Sequence, residues 1–406
     1  MARKILHVGK QLAADESAQR APVRAKRLSN YPSVSGPHLA AAKRLASPLA
    51  VGPPLCDELV ALVEHTFTEQ EAELVARLGP LRARTAAKLA RRLGWPRDET
   101  KAVLERLAFE KRAIACDGPV AKRRYRLLPI VPGMFEMVLI GQSPETLTPW
   151  HRRFAELFEA LFETGYTRDY QQRPPPLFRF LPLGSIAGGH PMALPSDHLE
   201  VVLERFDTFG VAHCQCRMST PPIGTGCGRP LEVCTVMGSW AERGIDAGWL
   251  RRVNRKELLD IKRHAESQGL VTWILNVDSP RGQVSCSCCG CCCKAMRMVN
   301  QFNAPGVLAP PHFMPRFDRT ACTYCGRCAA ACPMAALAVD ARASSLHHEP
   351  ARCIGCGLCQ LACDRQHAIV LEPVPEYRVP YKSWFGLLLH DAPSLLRTSW
   401  RVWRNR

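Results

Sequence analysis

Cysteine is the residue type that decides this sequence. It occupies 20 of the 406 positions, and eighteen of these lie between Cys214 and Cys363, with only Cys56 and Cys116 outside. Cys322-x2-Cys325-x2-Cys328-x3-Cys332 is repeated 31 residues later as Cys353-x2-Cys356-x2-Cys359-x3-Cys363. Three thiolates at this spacing wrap one corner of a [4Fe–4S] cube, and the fourth reaches the other cube of a two-cluster pair. That rule assigns Cys322, Cys325, Cys328 and Cys363 to one cluster, and Cys353, Cys356, Cys359 and Cys332 to the second. Zinc clips use paired C-x2-C units, so three cysteines with a crossing fourth suit that ion poorly. Gly326, Gly355 and Gly357 let the backbone turn around inorganic sulfides and aim N–H groups at them.

Residues 313–373 resemble the bacterial dicluster ferredoxins at every ligand position, with one ferredoxin-type repeat over 313–342 and the other over 344–373. The resemblance implies the two-fold ferredoxin fold and one-electron transfer between neighbouring clusters. There are two departures: Cys363 is followed by Asp364 rather than proline, and the linker carries His347-His348.

A second constellation comprises Cys214, Cys216, Cys227 and Cys234, then Cys286, Cys288, Cys289, Cys291, Cys292 and Cys293, ten cysteines in eighty residues. Cys214, Cys216, Cys227 and Cys234 supply four thiolates for a third cube, and the 286–293 run could hold a fourth. Extended backbone would put Cys289, Cys291 and Cys293 on one face, whereas a helix would pair Cys288 with Cys292 and Cys289 with Cys293. Zinc and redox-active free thiols are the competing readings. The cofactors expected are thus two [4Fe–4S] clusters, with one or two more in this segment. From about residue 56 to 373 the pattern resembles a family of uncharacterised ferredoxin-like iron–sulfur proteins, with a winged-helix-like N-terminal part, a C-x-C-R segment and a C-x-C-C-x-C-C-C run. His213 stands where that pattern leads one to expect proline.

The elements that must position these thiols give an α+β, multidomain chain. Residues 1–54, with nine basic and two acidic side chains and scattered prolines, are expected to be a disordered basic arm. Residues 55–140 read as a winged-helix-like domain: helices over 57–65, 69–78, 85–93 and 97–108, then strands within 112–128 around Asp117-Gly118. Residues 141–210 read as a mainly helical connection, 211–312 as the cysteine-rich iron–sulfur domain, and 377–406 as a basic amphipathic tail. His190 and His198 fit surface or capping positions better than ligand positions.

Composition narrows the function. Apolar residues make up 47% and charged ones 22% of the chain, which is ordinary globular usage. A disulfide-stapled secreted domain would be short and would spread its cysteines over its loops; here they are clustered, and Met1–Lys10 lacks the apolar core of a signal peptide. A cytoplasmic protein is expected, peripheral to the inner membrane face if the tail lies on anionic lipid. The net charge of +17 favours acidic partners. There is no G-x-G-x-x-G after a strand and no P-loop. The leading expectation is an iron–sulfur electron-transfer protein that serves a partner oxidoreductase rather than a stand-alone enzyme. The alternatives are a redox-sensing regulator whose winged helix binds nucleic acid, and a multi-cluster enzyme with its chemistry at the 214–293 thiolates.

Overall fold

The computed structural model describes residues 23–171, 176–221, 224, 226–304, 306 and 308–405. They fall into two units, one built mainly from residues 21–170 and the other mainly from 171–217 and 225–395.

The first unit is helical. Its helices span Gly36–Leu45, Asp57–Thr66, Glu69–Arg77, Ala86–Leu93, Arg97–Glu105 and Pro149–Glu163. Local signals set several of these boundaries. Thr68 Oγ1 accepts from the Glu71 N–H at 3.3 Å while the Glu71 carboxylate accepts from the Thr68 N–H at 2.8 Å, a reciprocal cap. Gly94, at φ 72°, ends Ala86–Leu93, where a left-handed residue is needed. Leu59, Leu62, Leu74, Leu89, Leu104, Phe154 and Phe158 are fully buried. Strands β1 (Ile114–Asp117) and β2 (Arg124–Leu127) pair antiparallel, Ile114 opposite Leu127. Arg84 joins them, its N–H and C=O both bonded to Tyr125. The turn between the strands is wider than Asp117-Gly118 alone suggests, because Val120–Lys122 forms a 3-10 turn.

The expectation of a disordered arm over 1–54 is corrected from residue 23 onward; residues 1–22 lie outside the described residues. Gly36–Leu45 is helical because Ser35 caps it and Ala41, Ala42 and Leu45 bury one face. The basic composition hid that short apolar stripe.

The second unit holds a six-stranded antiparallel sheet: β3 (Phe178–Phe180), β4 (Phe209–His213), β5 (Glu232–Gly238), β6 (Arg251–Val253), β7 (Val271–Leu275) and β8 (Gly282–Cys288). Their order is β3-β7-β8-β5-β4-β6. Leu203, Phe209, Val211, Met237, Ile274 and Leu258 form a core, with Leu258 contributed by the helix Arg255–Ser267. Apart from the extended reading of the 286–293 run, the sequence predicts no strand across 141–312. β3 and β6 have only three residues each, too short to show a period, and in β8, Gly282–Cys288, nearly every residue is buried, as for a strand covered on both faces. The region over 141–210 is accordingly not only helical, since it supplies β3 and the first two residues of β4.

Four further strands follow. β9 (Phe313–Phe317) pairs antiparallel with β12 (Ile369–Pro373), and β10 (Leu337–Asp340) with β11 (Ser345–His348). Between them lie two short helices, Arg327–Ala331 and Leu358–Ala362. The helices are displaced by the same 31 residues as the cysteines, so the sequence repeat is also a structural repeat. A helix over Trp384–Asn405 ends the chain, with Pro393 inside it.

Candidate metal centres

In the 313–373 segment, each short helix starts directly after a glycine with positive φ, Gly326 at 76° and Gly357 at 87°. At Gly355 (φ 62°) a Cβ would meet the Phe313 carbonyl oxygen at 2.3 Å, so no side chain fits there. These turns fold the two runs around two cavities. One is lined by Cys322, Cys325, Cys328 and Cys363, and the other by Cys332, Cys353, Cys356 and Cys359. The fourth cysteine of each run therefore faces the cavity of the other. Backbone N–H groups already aim at sulfur: Tyr324 N to Cys322 Sγ at 3.4 Å and Ala336 N to Cys332 Sγ at 3.3 Å. Burial pushes the Cys353 thiol up to about 11 and Cys359 to about 12. At neutral pH such thiols stay protonated, and metal binding would displace those protons. Exposed Cys325 differs, because the Arg327 N–H and guanidinium hold its pKa down. Asp364, in the position of the missing proline, accepts from Arg327 at 2.8 Å and so links the second run to the first.

The ten middle cysteines divide differently from the expected sets. The sulfurs of Cys227, Cys289, Cys291 and Cys292 all lie within 4.8 Å of one another. Cys214, Cys216, Cys293 and Cys288 form a second series of thiols that influence one another's ionisation, Cys214 with Cys216, Cys216 with Cys293 and Cys293 with Cys288. Cys234 and Cys286 are opposite residues of β5 and β8, with their sulfurs 2.9 Å apart. The structure thus does not gather Cys214, Cys216, Cys227 and Cys234 into one set. Neither periodic expectation for the 286–293 run holds. β8 ends at Cys288, Cys289–Cys292 form a turn, and Cys293 caps the helix Lys294–Phe302.

That turn is fixed from outside. A Cβ on Gly290 would lie 1.9 Å from the Pro333 carbonyl oxygen, and the Asn300 amide donates to the Pro333 carbonyl at 3.0 Å and the Gly290 carbonyl at 3.4 Å. The cysteine-rich turn therefore packs against the residue that follows Cys332.

Three cations with little or no exposure accompany the thiols: Arg217, Lys262 and Lys294. Arg217 donates to the Ser287 carbonyl at 3.1 and 3.2 Å and to Cys289 Sγ at 3.8 Å. Burial works against its charge, but Cys214, Cys289 and Cys288 more than compensate and raise its pKa. Lys262 donates to the carbonyls of Val233 (3.1 Å) and Ser285 (3.0 Å). The Trp273 indole donates to Cys288 Sγ at 3.1 Å. Sequence reasoning assigned no role to these residues. A signal existed for Lys262, which interrupts the stripe Leu258, Ile261, Ala265 on an amphipathic helix. Buried charges demand partners: Lys262 finds them in backbone carbonyls, Arg217 in a carbonyl and the Cys289 sulfur.

A family model described as a 4Fe-4S dicluster domain matches residues 314–364. Comparison with curated proteins and with solved structures finds no match. The chain carries a ferredoxin-like iron–sulfur domain, and among the described residues no helix is long and apolar enough to cross a membrane.

Proposed function

We propose that this protein is a one-electron carrier in which two crossed [4Fe–4S] clusters pass electrons to or from a partner oxidoreductase. The observation that carries this reading is the lining of the two cavities by Cys322, Cys325, Cys328, Cys363 and by Cys332, Cys353, Cys356, Cys359. When bound, each cube supplies a one-electron couple. The chain's own part is to hold the thiolates, point N–H groups at sulfur and limit water, all of which tune the potential. Cys214, Cys216, Cys288 and Cys293 are the thiols best suited to a third cluster. Contact of Gly290 with Pro333 gives electrons a short packed route from the cysteine-rich turn to the Cys332 cluster.

The succession of helices and a β-hairpin in the first unit supports a winged-helix-like reading, and we assign this unit to docking a protein partner. The tail helix presents Phe385, Leu389, Leu396, Trp400 and Trp403, all exposed, within an arc of about 60° at 3.6 residues per turn. With Arg397, Arg401 and Arg404 flanking it, that stripe suits an anionic membrane surface.

The decisive experiment pairs substitutions. Cys332→Ala with Cys356→Ala strikes one cluster and should leave the other's EPR signal intact, as should Cys363→Ala with Cys325→Ala. Cys332→Ala with Cys325→Ala should damage both. The reverse pattern would mean that each run ligates its own cube and would overturn the crossed arrangement. The electron-carrier reading fails separately if dithionite-reduced protein, with both clusters present, cannot return its electrons to any one-electron acceptor.

A further inference from the structure

The quartet in the cysteine-rich turn has a size that a cube does not. Cys227 and Cys289 sulfurs are 4.0 Å apart and those of Cys291 and Cys292 are 3.7 Å apart, with every pair inside 4.8 Å. Four sulfurs at the corners of a tetrahedron around one ion, each at about 2.3 Å from it, are roughly 3.8 Å apart. A cube instead carries one thiolate on each of four irons, which spreads the sulfurs wider. We propose that Cys227, Cys289, Cys291 and Cys292 bind a single tetrahedral thiophilic ion, zinc(II) or iron, and not an iron–sulfur cluster.

The surroundings fit that assignment. Cys289 and Cys292 are buried against Val233, Ala265 and Leu270, which gives a closed site with four protein ligands, the form taken by structural metal sites. Four thiolates and one divalent ion sum to −2. The guanidinium of Arg217, bonded to Cys289 Sγ, offsets part of that charge and orients a ligand from outside the coordination sphere. The site would fasten the loop carrying Cys227, itself held by Arg229 to the Gly269 carbonyl at 3.0 Å, onto the end of β8. No electron transfer is required of it when the ion is zinc.

Acid-labile sulfide counts cubes, and metal in excess of sulfide counts mononuclear ions. Full-length protein made with iron and zinc both supplied, purified without oxygen, should therefore hold one more metal than sulfide per chain, however many cubes it carries. If the extra metal is zinc, its X-ray absorption should show four sulfurs at about 2.3 Å and no neighbouring metal. If it is iron, a mononuclear high-spin ferric EPR signal should appear beside those of the clusters. Cys227→Ser and Cys291→Ser should remove that one metal and leave sulfide unchanged. Metal equal to sulfide in the unmodified protein, or loss of about four irons and four sulfides in either variant, would overturn the proposal. The unmodified protein decides the matter even if the variants do not fold.

Discussion

At the scale of single residues, Arg217 does more than its position beside Cys216 suggests. Its guanidinium bonds the Ser287 carbonyl twice and Cys289 once, so it joins β8 to the cysteine-rich turn while offsetting thiolate charge. Arg217→Gln should destabilise the protein by about 3 kcal/mol, since it strands a buried carbonyl and uncompensated sulfur. Arg217→Lys keeps the charge but loses the forked geometry and should fall between. Thermal unfolding, together with the rate at which a chelator strips metal, measures both. This residue was in plain view in the sequence, but its role was not legible, because its partner carbonyl lies 70 residues away.

At the scale of elements, two junctions can be tested. Gly290→Ala should force the turn off Pro333, because the added methyl cannot share space with the Pro333 carbonyl. Overpacking of this kind costs about 1–3 kcal/mol, and the EPR signal assigned to the Cys332 cluster should change while that of the Cys322 cluster does not. In the first unit, Glu71 is fully buried and accepts from Arg106 at 2.9 Å and Lys111 at 2.6 Å. Burial pushes its carboxyl up, but Lys111, the Thr68 N–H and Arg106 outweigh that and hold it below its ordinary value. A carboxyl lowered on folding contributes stability that is present above its unfolded pKa and lost as pH falls through the folded one. Glu71→Gln should therefore cost about 3 kcal/mol at neutral pH and flatten the loss of stability below about pH 4, as read by urea unfolding across pH. The capping box around Glu71 was legible from Thr68 and Glu71 alone; the second use of that carboxylate, as a partner for Arg106 and Lys111, was not.

At the scale of the whole molecule, charge and metal content are coupled. Each cube with its four thiolates carries about −2, so two cubes reduce the formal +17 to about +13. Residues 316–376 contain six basic and six acidic side chains, so the excess lies elsewhere, in segments that include 81–126, with 14 basic and five acidic. Attraction to an acidic partner or anionic vesicle should weaken as ionic strength rises past physiological values. Truncation after residue 383 should remove vesicle binding while leaving iron and sulfide content unchanged. Vesicle binding that persists without the tail helix, or that ignores salt, would count against the membrane-surface assignment.

The iron–sulfur character of the 313–373 segment was legible in the sequence. Its ligands come in two short runs, each folded by glycines within the run, so spacing alone states which thiols can reach which cavity. The sequence also determined several helices of the first unit, since caps and apolar periods are local. The partition of the ten middle cysteines was decided only by the tertiary structure. Cys227 lies 62 residues from Cys289 and Cys234 lies 52 from Cys286; the second pair is brought together by the register of β5 against β8, and the nearly continuous burial of β8 leaves no alternating pattern to read. One turn, closed by Gly290 against Pro333, then sends adjacent cysteines to different sets. Spacing can specify a ligand set only when the backbone between the ligands is itself locally determined, and between Cys214 and Cys293 it is not.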